Sequence, residues 1–278
     1  GSARRAMTGR GSGAGPVPVR EGRGVAWGWQ GLLMALAALA ACSAPDPLAD
    51  TQPGEHGRVV RVIDGDALVL DTGQSVRLVG IEAPAGPYKD RTGAPYFKES
   101  RRMLEDMALG REVQLFYAGL TRDRYDRALA HVVTTDALGP DLWLNREMVA
   151  RGGARVRVYP DTAGANDLLL APEVEARAAG IGLWATVAYR IPAATDLPER
   201  FERFQLVEGV VATRLSTEEQ GASCELGLAG STLTLEIKRS AAALCQVQAG
   251  TPVRARGYVY GGKLEIGHTL NLETLAGD

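Results

Sequence analysis

Apolar runs rich in β-branched residues, Val-Val-Arg-Val-Ile over 59–63 and Leu-Val-Leu over 68–70, read as strands. Asp71-Thr-Gly-Gln lies between the second run and a third at 76–79, which marks a tight hairpin turn, so three strands fold back on one another. Over 97–109 the pattern changes: Met103, Leu104 and Met107 share one helical face, opposite Lys98, Glu99, Arg101 and Glu105. Strands follow at 112–116 and 129–134. A second helix at 142–151 stops at Gly152-Gly153, and a third at 168–179 requires its start near Pro172. Five strands with interleaved helices predict an α+β domain built on an OB-type barrel, spanning 57–186.

Residues 187–204 hold Pro192 and Pro198 among charges and read as a linker. Strand-like alternation returns at 204–213, 225–228, 232–237, 253–260 and 264–272, with a short helix at 240–245. This predicts a small, mainly β, OB-like second domain over 205–278.

Residues 1–41 differ from both. Several arginines precede an apolar run over 31–41, too short to span a bilayer but laid out as a secretory signal. Leu39-Ala-Ala-Cys42 resembles the bacterial lipoprotein cleavage box, which predicts a lipid anchor on Cys42, a tether over 43–56, and residence at the cell envelope, by resemblance the outer membrane facing the periplasm. An ordinary signal with an incidental cysteine is the alternative. Cys224 and Cys245 are the remaining cysteines. In an exported chain they are expected to pair, and a loop of that size stabilises by about 3 kcal/mol, the alternative being two buried thiols.

Charge changes the picture little. Against 31 Lys and Arg stand 33 Asp and Glu, a net of −2. That balance argues against a high-affinity nucleic-acid scaffold, which needs a positive face, but leaves room for a local arginine pocket. His56, His131 and His268 show no zinc-ligand spacing.

The candidate chemistry concentrates at Asp64-Gly-Asp66, Arg77 and Glu82, with Asp123-Arg-Tyr125-Asp-Arg127 further on. Folding the strands back brings Asp66 and Glu82 toward one pocket, where paired carboxylates need a hard cation or an arginine between them. Together with Arg77-Leu-Val-Gly-Ile-Glu82-Ala-Pro84 and the closing Gly182-Leu-Trp184, these motifs resemble the staphylococcal nuclease family over about half the chain.

The resemblance implies calcium-dependent hydrolysis of DNA or RNA by a monomer, without an organic cofactor. It places Ca2+ on Asp66, Glu82 and the Ala83 carbonyl, with Asp64 alongside. It assigns Arg77 and Arg127 to the scissile phosphate, where a guanidinium fork fits two phosphate oxygens, and Tyr125 to a neighbouring phosphate. The bland alternatives are a capped turn at 64–66 and a surface pairing of the arginines with Asp123 or Asp126. Two departures stand out: Glu82 replaces the usual aspartate, and Ala85 occupies the position of the general-base glutamate. The resemblance therefore predicts weak hydrolysis or, alternatively, a catalytically inactive module that binds an anionic ligand or an envelope partner.

Overall fold

In the computed structural model, the residues described are Gly15, 46–198, 200–217 and 223–276. Cys42 and the 1–41 signal region, apart from Gly15, lie outside them. No described helix is long and apolar enough to cross a membrane.

The first strand, β1 (Gln52–Asp64), is long enough to belong to two pairings. Its first half pairs with β5 (Glu112–Tyr117), and its second half pairs with β2 (Ala67–Leu70). Between those partners, β3 (Ser75–Leu78) lies beside β2, and β6 (Ala128–Thr134) runs parallel to β3 and antiparallel to β5. The five strands close into a barrel. Val59, Val62, Leu68, Val76, Leu78, Val113, Leu115 and Val132 fill it from alternate positions. The turn at 71–74 is made possible by Gly73, which takes a left-handed φ of 87°.

Helix α1 (Phe97–Ala108) presents Ser100, Leu104, Met107 and Ala108 inward, as its periodicity predicts. Leu104 is fully buried, and truncating such a side chain to alanine costs about 2–5 kcal/mol. Helix α2 (Leu144–Ala150) packs on α1, β6 and α3 (Leu170–Ala178), with Pro172 in the first turn of α3 where its missing N–H has no intrahelical partner to lose.

A two-stranded ribbon outside the barrel has direct bearing on the site. Strand β4 (Ile81–Glu82) pairs with β7 (Arg155–Val156), setting Glu82 opposite Arg155. Asn145 on α2 fixes the approach: its amide donates to the carbonyls of Val79 and Ala130 while its oxygen accepts from the Val132 N–H. The period-two alternation of Ala154-Arg-Val-Arg-Val-Tyr159 carries the signal for β7.

The second domain comprises β8 (Arg203–Thr217), β9 (Cys224–Leu228), β10 (Thr234–Ile237), β11 (Pro252–Tyr260), β12 (Lys263–Ile266) and β13 (Leu272–Thr274). Pairings β8–β9, β9–β10, β10–β12, β12–β11 and β11–β8 form a circuit, with β10 and β12 parallel. This repeats the connectivity of the first barrel, where third and fifth strands are likewise parallel. The alternation over 264–272 breaks into two strands because His268 caps a short 3-10 turn, its Nδ1 accepting from the Leu270 N–H. Cys224 and Cys245 are joined in a disulfide.

The two barrels meet through buried polar groups. Arg256 of β11 is 1% exposed, lies 2.8 Å from Glu173 of α3, pairs with Glu273 of β13, and donates to the Val156 carbonyl of β7. Asn271 donates to the carbonyl of Val158.

Candidate active site

Three side chains from three strand ends meet at one pocket. Asp66 lies at the turn between β1 and β2, Arg77 in β3, and Glu82 in β4. One nitrogen of Arg77, Nη2, stands 3.1 Å from Asp66 Oδ2 and 3.0 Å from Glu82 Oε2. The backbone N–H of Ala83 donates to the same Asp66 oxygen at 2.7 Å.

The turn that delivers Asp66 depends on its central glycine. A Cβ on Gly65 would overlap Ser100 Oγ and the Ala83 Cβ, so only glycine lets the 64–66 turn press against α1 and the start of the 83–96 segment. Ser100 itself is anchored to the Gly153 carbonyl at 2.7 Å. Gly80, just before β4, has φ 76°, and a Cβ there would overlap Asn166 Oδ1 and Leu169.

Asp66 is 2% exposed. Burial pushes its carboxyl up, to about 8, against the pull of Arg77, so the pocket favours a positive partner or a proton at this group. Asp66 beside Arg77 in turn raises the guanidinium, which stays charged. With Nη2 committed to both acids, Arg77 Nε and Nη1 make no hydrogen bond to the described residues.

Asp64 ends β1 close by in sequence. Its Oδ1 is buried without a hydrogen-bond partner. With Ala85, Asp64 borders a groove of about 790 Å3 that runs along the Lys98–Arg101–Arg102 side of α1.

The residues fit a hard divalent cation in their chemistry: two converging carboxylates and one orphaned carboxylate oxygen, all oxygen donors. No cluster of three His, Cys, Asp or Glu side chains is gathered as a cage among the described residues. Ala83 contributes its N–H to Asp66.

Arg127 and Tyr125 occupy a separate turn, 123–127, before β6. Asp123 organises it, accepting the N–H groups of Tyr125 and Arg127 at 2.9 Å each and Arg127 Nε at 2.7 Å. Burial alone would raise the Asp123 carboxyl, but the hydrogen bonds from Arg127 hold it below its ordinary range. Gln74, in the β2–β3 hairpin, donates to the Asp126 carbonyl and ties this turn to the barrel. The structure therefore pairs Arg127 with Asp123 and brings it into no hydrogen bond with Asp66, Arg77 or Glu82. Tyr125 is 65% exposed, with the guanidiniums of Arg124 and Arg127 over its ring.

Arg157, which motif reading passes over, joins the pocket. Its Nη1 is 2.9 Å from Glu82 Oε2, and its guanidinium is held between the rings of Tyr159 and Phe204 at 4.8 and 5.0 Å. Phe204 comes from β8, so the second barrel braces a side chain of the first barrel's pocket. The arrangement is one buried and one partly buried carboxylate crossed by two guanidiniums, with exposed Ala85 beside it.

Comparison with known proteins identifies the chemistry such a pocket accompanies. Residues 75–186 match the description "Staphylococcal nuclease homologue". The chain is similar to a thermonuclease of Staphylococcus intermedius, 30% identical over 134 residues, covering 47% of this chain and 77% of that protein. It is 35% identical over 133 residues to an uncharacterized endonuclease of Escherichia coli O157:H7, covering 47% of this chain and 77% of the relative. A thermonuclease of Staphylococcus hyicus is 31% identical over 105 residues, 37% of this chain and 59% of that protein. The second barrel lies beyond the residues matched to the family.

Proposed function

Because the chain belongs to the staphylococcal nuclease family, we propose that it hydrolyses phosphodiester bonds of DNA or RNA at the Asp66–Arg77–Glu82 pocket, weakly and with calcium. The observation that carries this reading is the convergence of Asp66 and Glu82, from separate segments, on one nitrogen of Arg77 within 3.1 Å. Bound beside Asp66, Glu82 and Asp64, a calcium ion would supply positive charge to a phosphate oxygen and acidify a coordinated water.

The protein's own groups do the rest. Arg77 presents Nε and Nη1 to phosphate oxygens while its third nitrogen stays fixed by two carboxylates, so the fork is oriented before substrate arrives. Its contribution grows as negative charge builds on the phosphorus centre, which lowers the barrier more than it tightens the ground state. Arg157 holds Glu82 in place from the other side. Arg127 reaches a phosphate by exchanging Asp123 for it, and Tyr125 offers an exposed phenol beside it.

Ala85 sets the expected rate. A methyl group neither accepts a proton nor orients water, and general-base catalysis is worth about 10²–10⁴-fold. With calcium and single-stranded DNA, slow cleavage by the wild type should vanish in Asp66→Asn and rise by about 10²-fold or more in Ala85→Glu. Cleavage by the wild type that Asp66→Asn leaves unchanged would refute the assignment. The same alanine favours a second reading, an inactive nuclease fold that binds an anionic ligand or an envelope partner. Cleavage confined to Ala85→Glu would select it.

The proposal places the protein as a monomer tethered through a lipid on Cys42 at the cell envelope. Metabolic labelling with a palmitate analogue should mark the wild type and spare Cys42→Ser; equal labelling of both removes the anchor from the proposal.

A further inference from the structure

We propose that the cleft between the two barrels, beside Ala85, is an anion subsite that takes a backbone phosphate of the nucleic-acid strand, gripped by Arg155 from the first domain and Arg203 from the second. The inference rests on the phosphodiester reading of the adjoining pocket and adds to it a role for the second barrel.

The cleft measures about 150 Å3. Glu82, Ala83, Pro84 and Ala85 form one wall, and the opening residues of β8, Arg203 to Gln205, form the other. Its size is below the ~300 Å3 at which pockets begin to enclose whole small molecules. A single tetrahedral anion fits it; a nucleoside does not.

Arg155 points to what belongs there. It is 9% exposed and lines the cleft, yet no carboxylate among the described residues pairs with it. Its guanidinium rests on the rings of Tyr189 and Phe204 at 5.0 and 4.8 Å. Its Nη2 reaches only the Phe204 carbonyl at 3.5 Å, and its Nε is buried with no hydrogen-bond partner. Glu82, the cross-strand neighbour of Arg155, has its carboxylate taken by Arg77 and Arg157.

A buried guanidinium without a counter-ion is costly, and this molecule shows the usual remedy elsewhere. Arg256, also buried, is neutralised by both Glu173 and Glu273. Arg155 is buried likewise but has no carboxylate at ion-pair distance among the described residues, Glu82 and Glu173 acting on it only from further off, which leaves room for an anionic ligand. Arg203 supplies a second positive group at the cleft mouth: it is exposed, stacks on Phe201 at 4.6 Å, and pairs with no carboxylate among the described residues. Two guanidiniums at one small cleft suit a phosphate, whose oxygens accept forked hydrogen bonds. Glu82 and Ala85 border this cleft, so the phosphate would belong to the same strand as the reacting one.

The test uses the full chain in EDTA, so that binding is read without cleavage. Anisotropy of a labelled single-stranded oligonucleotide is followed for wild type, Arg203→Ala and Arg155→Met, with Arg239→Ala as an equal-charge surface control. We expect about tenfold weaker binding for Arg203→Ala and Arg155→Met, with the salt dependence shallower by about 0.7 for each lost phosphate contact, and neither change in Arg239→Ala. If Arg155→Met fails to fold, the exposed Arg203→Ala decides alone. Wild-type affinity in Arg203→Ala, or an equal loss in Arg239→Ala, overturns the subsite. Inorganic phosphate should compete with the oligonucleotide on the wild type and less on Arg203→Ala; phosphate binding with no oligonucleotide binding overturns the assignment to a strand. The two readings fail separately: cleavage indifferent to Asp66→Asn removes the hydrolase, whereas unchanged binding in Arg203→Ala removes only the subsite.

Discussion

His131 shows how one buried residue records its surroundings. It is fully buried in β6, its Nδ1 accepting from Trp143 Nε1 and its Nε2 facing the Gly164 carbonyl at 2.9 Å, which fixes the neutral tautomer with hydrogen on Nε2. Burial lowers its pKa from 6.5 to about 4. Between those values the unfolded chain binds the proton that the folded chain refuses, so stability is complete above pH 6.5 and is lost as pH falls. The loss reaches about 3 kcal/mol at pH 4. Urea midpoints at pH 7 and 4 should show this increment in the wild type and not in His131→Gln, where no proton is taken up. Among the residues of the pocket, identity was legible in the sequence while pairing was not. Asp66, Arg77 and Glu82 follow from motif spacing, but whether Arg127 turns to a phosphate or to Asp123 depends on hydrogen bonds from a turn whose backbone no periodicity encodes. Arg157 went unread for a different reason: an arginine alternating with valine looks like a solvated strand edge until its aromatic neighbours, one of them 47 positions away in the second barrel, are in place.

At the scale of elements, strands and helices with a covered face announced themselves, because burial on one side imposes period two or 3.6. Helix α1 and the strand at 112–116 were readable for this reason, the first hairpin instead from its β-branched runs and the turn residues at 71–74. The β4–β7 ribbon was not: the alternation over 154–159 marks β7, but β4 is only two residues long and the two strands are distant in sequence. Yet this ribbon connects the site to the rest: β4 carries Glu82, and β7 leads into Arg157. Phe204 of β8 wedges between Arg155 and Arg157, and it is 4% exposed. Phe204→Ala should cost about 3–5 kcal/mol in urea unfolding followed by circular dichroism. Because the ring also braces Arg157, the same variant should lose cleavage rate at temperatures where it remains folded. Retained stability and rate together would show that the wedge is incidental.

For the molecule as a whole, two barrels of like connectivity are locked by a buried charge group rather than joined by a loose tether. Arg256 reaches from β11 to Glu173 of α3 and to the β7 backbone, so each domain supplies part of what neutralises the other. Replacing it with methionine strands two carboxylates, and breaking a buried pair in this way costs about 3–5 kcal/mol. Arg256→Met should therefore lower the denaturant midpoint of the entire chain; a loss confined to the second barrel would mean that the domains fold independently. The linker read from prolines over 187–204 gave no hint of this union. Composition reveals where chains punctuate, whereas an ion pair across a domain boundary leaves no local mark.

The placement of Phe204 bears on the order in which a newborn chain becomes competent. Synthesis proceeds from the amino end at about 5–20 residues per second, and domains fold as they emerge. The acids and Arg77 come out early, but the ring that seats Arg155 and Arg157 is translated later, at position 204. Until it arrives, Arg155 and Arg157 lack the ring on which they stack, so the surroundings of Glu82 are completed only once the second barrel is made.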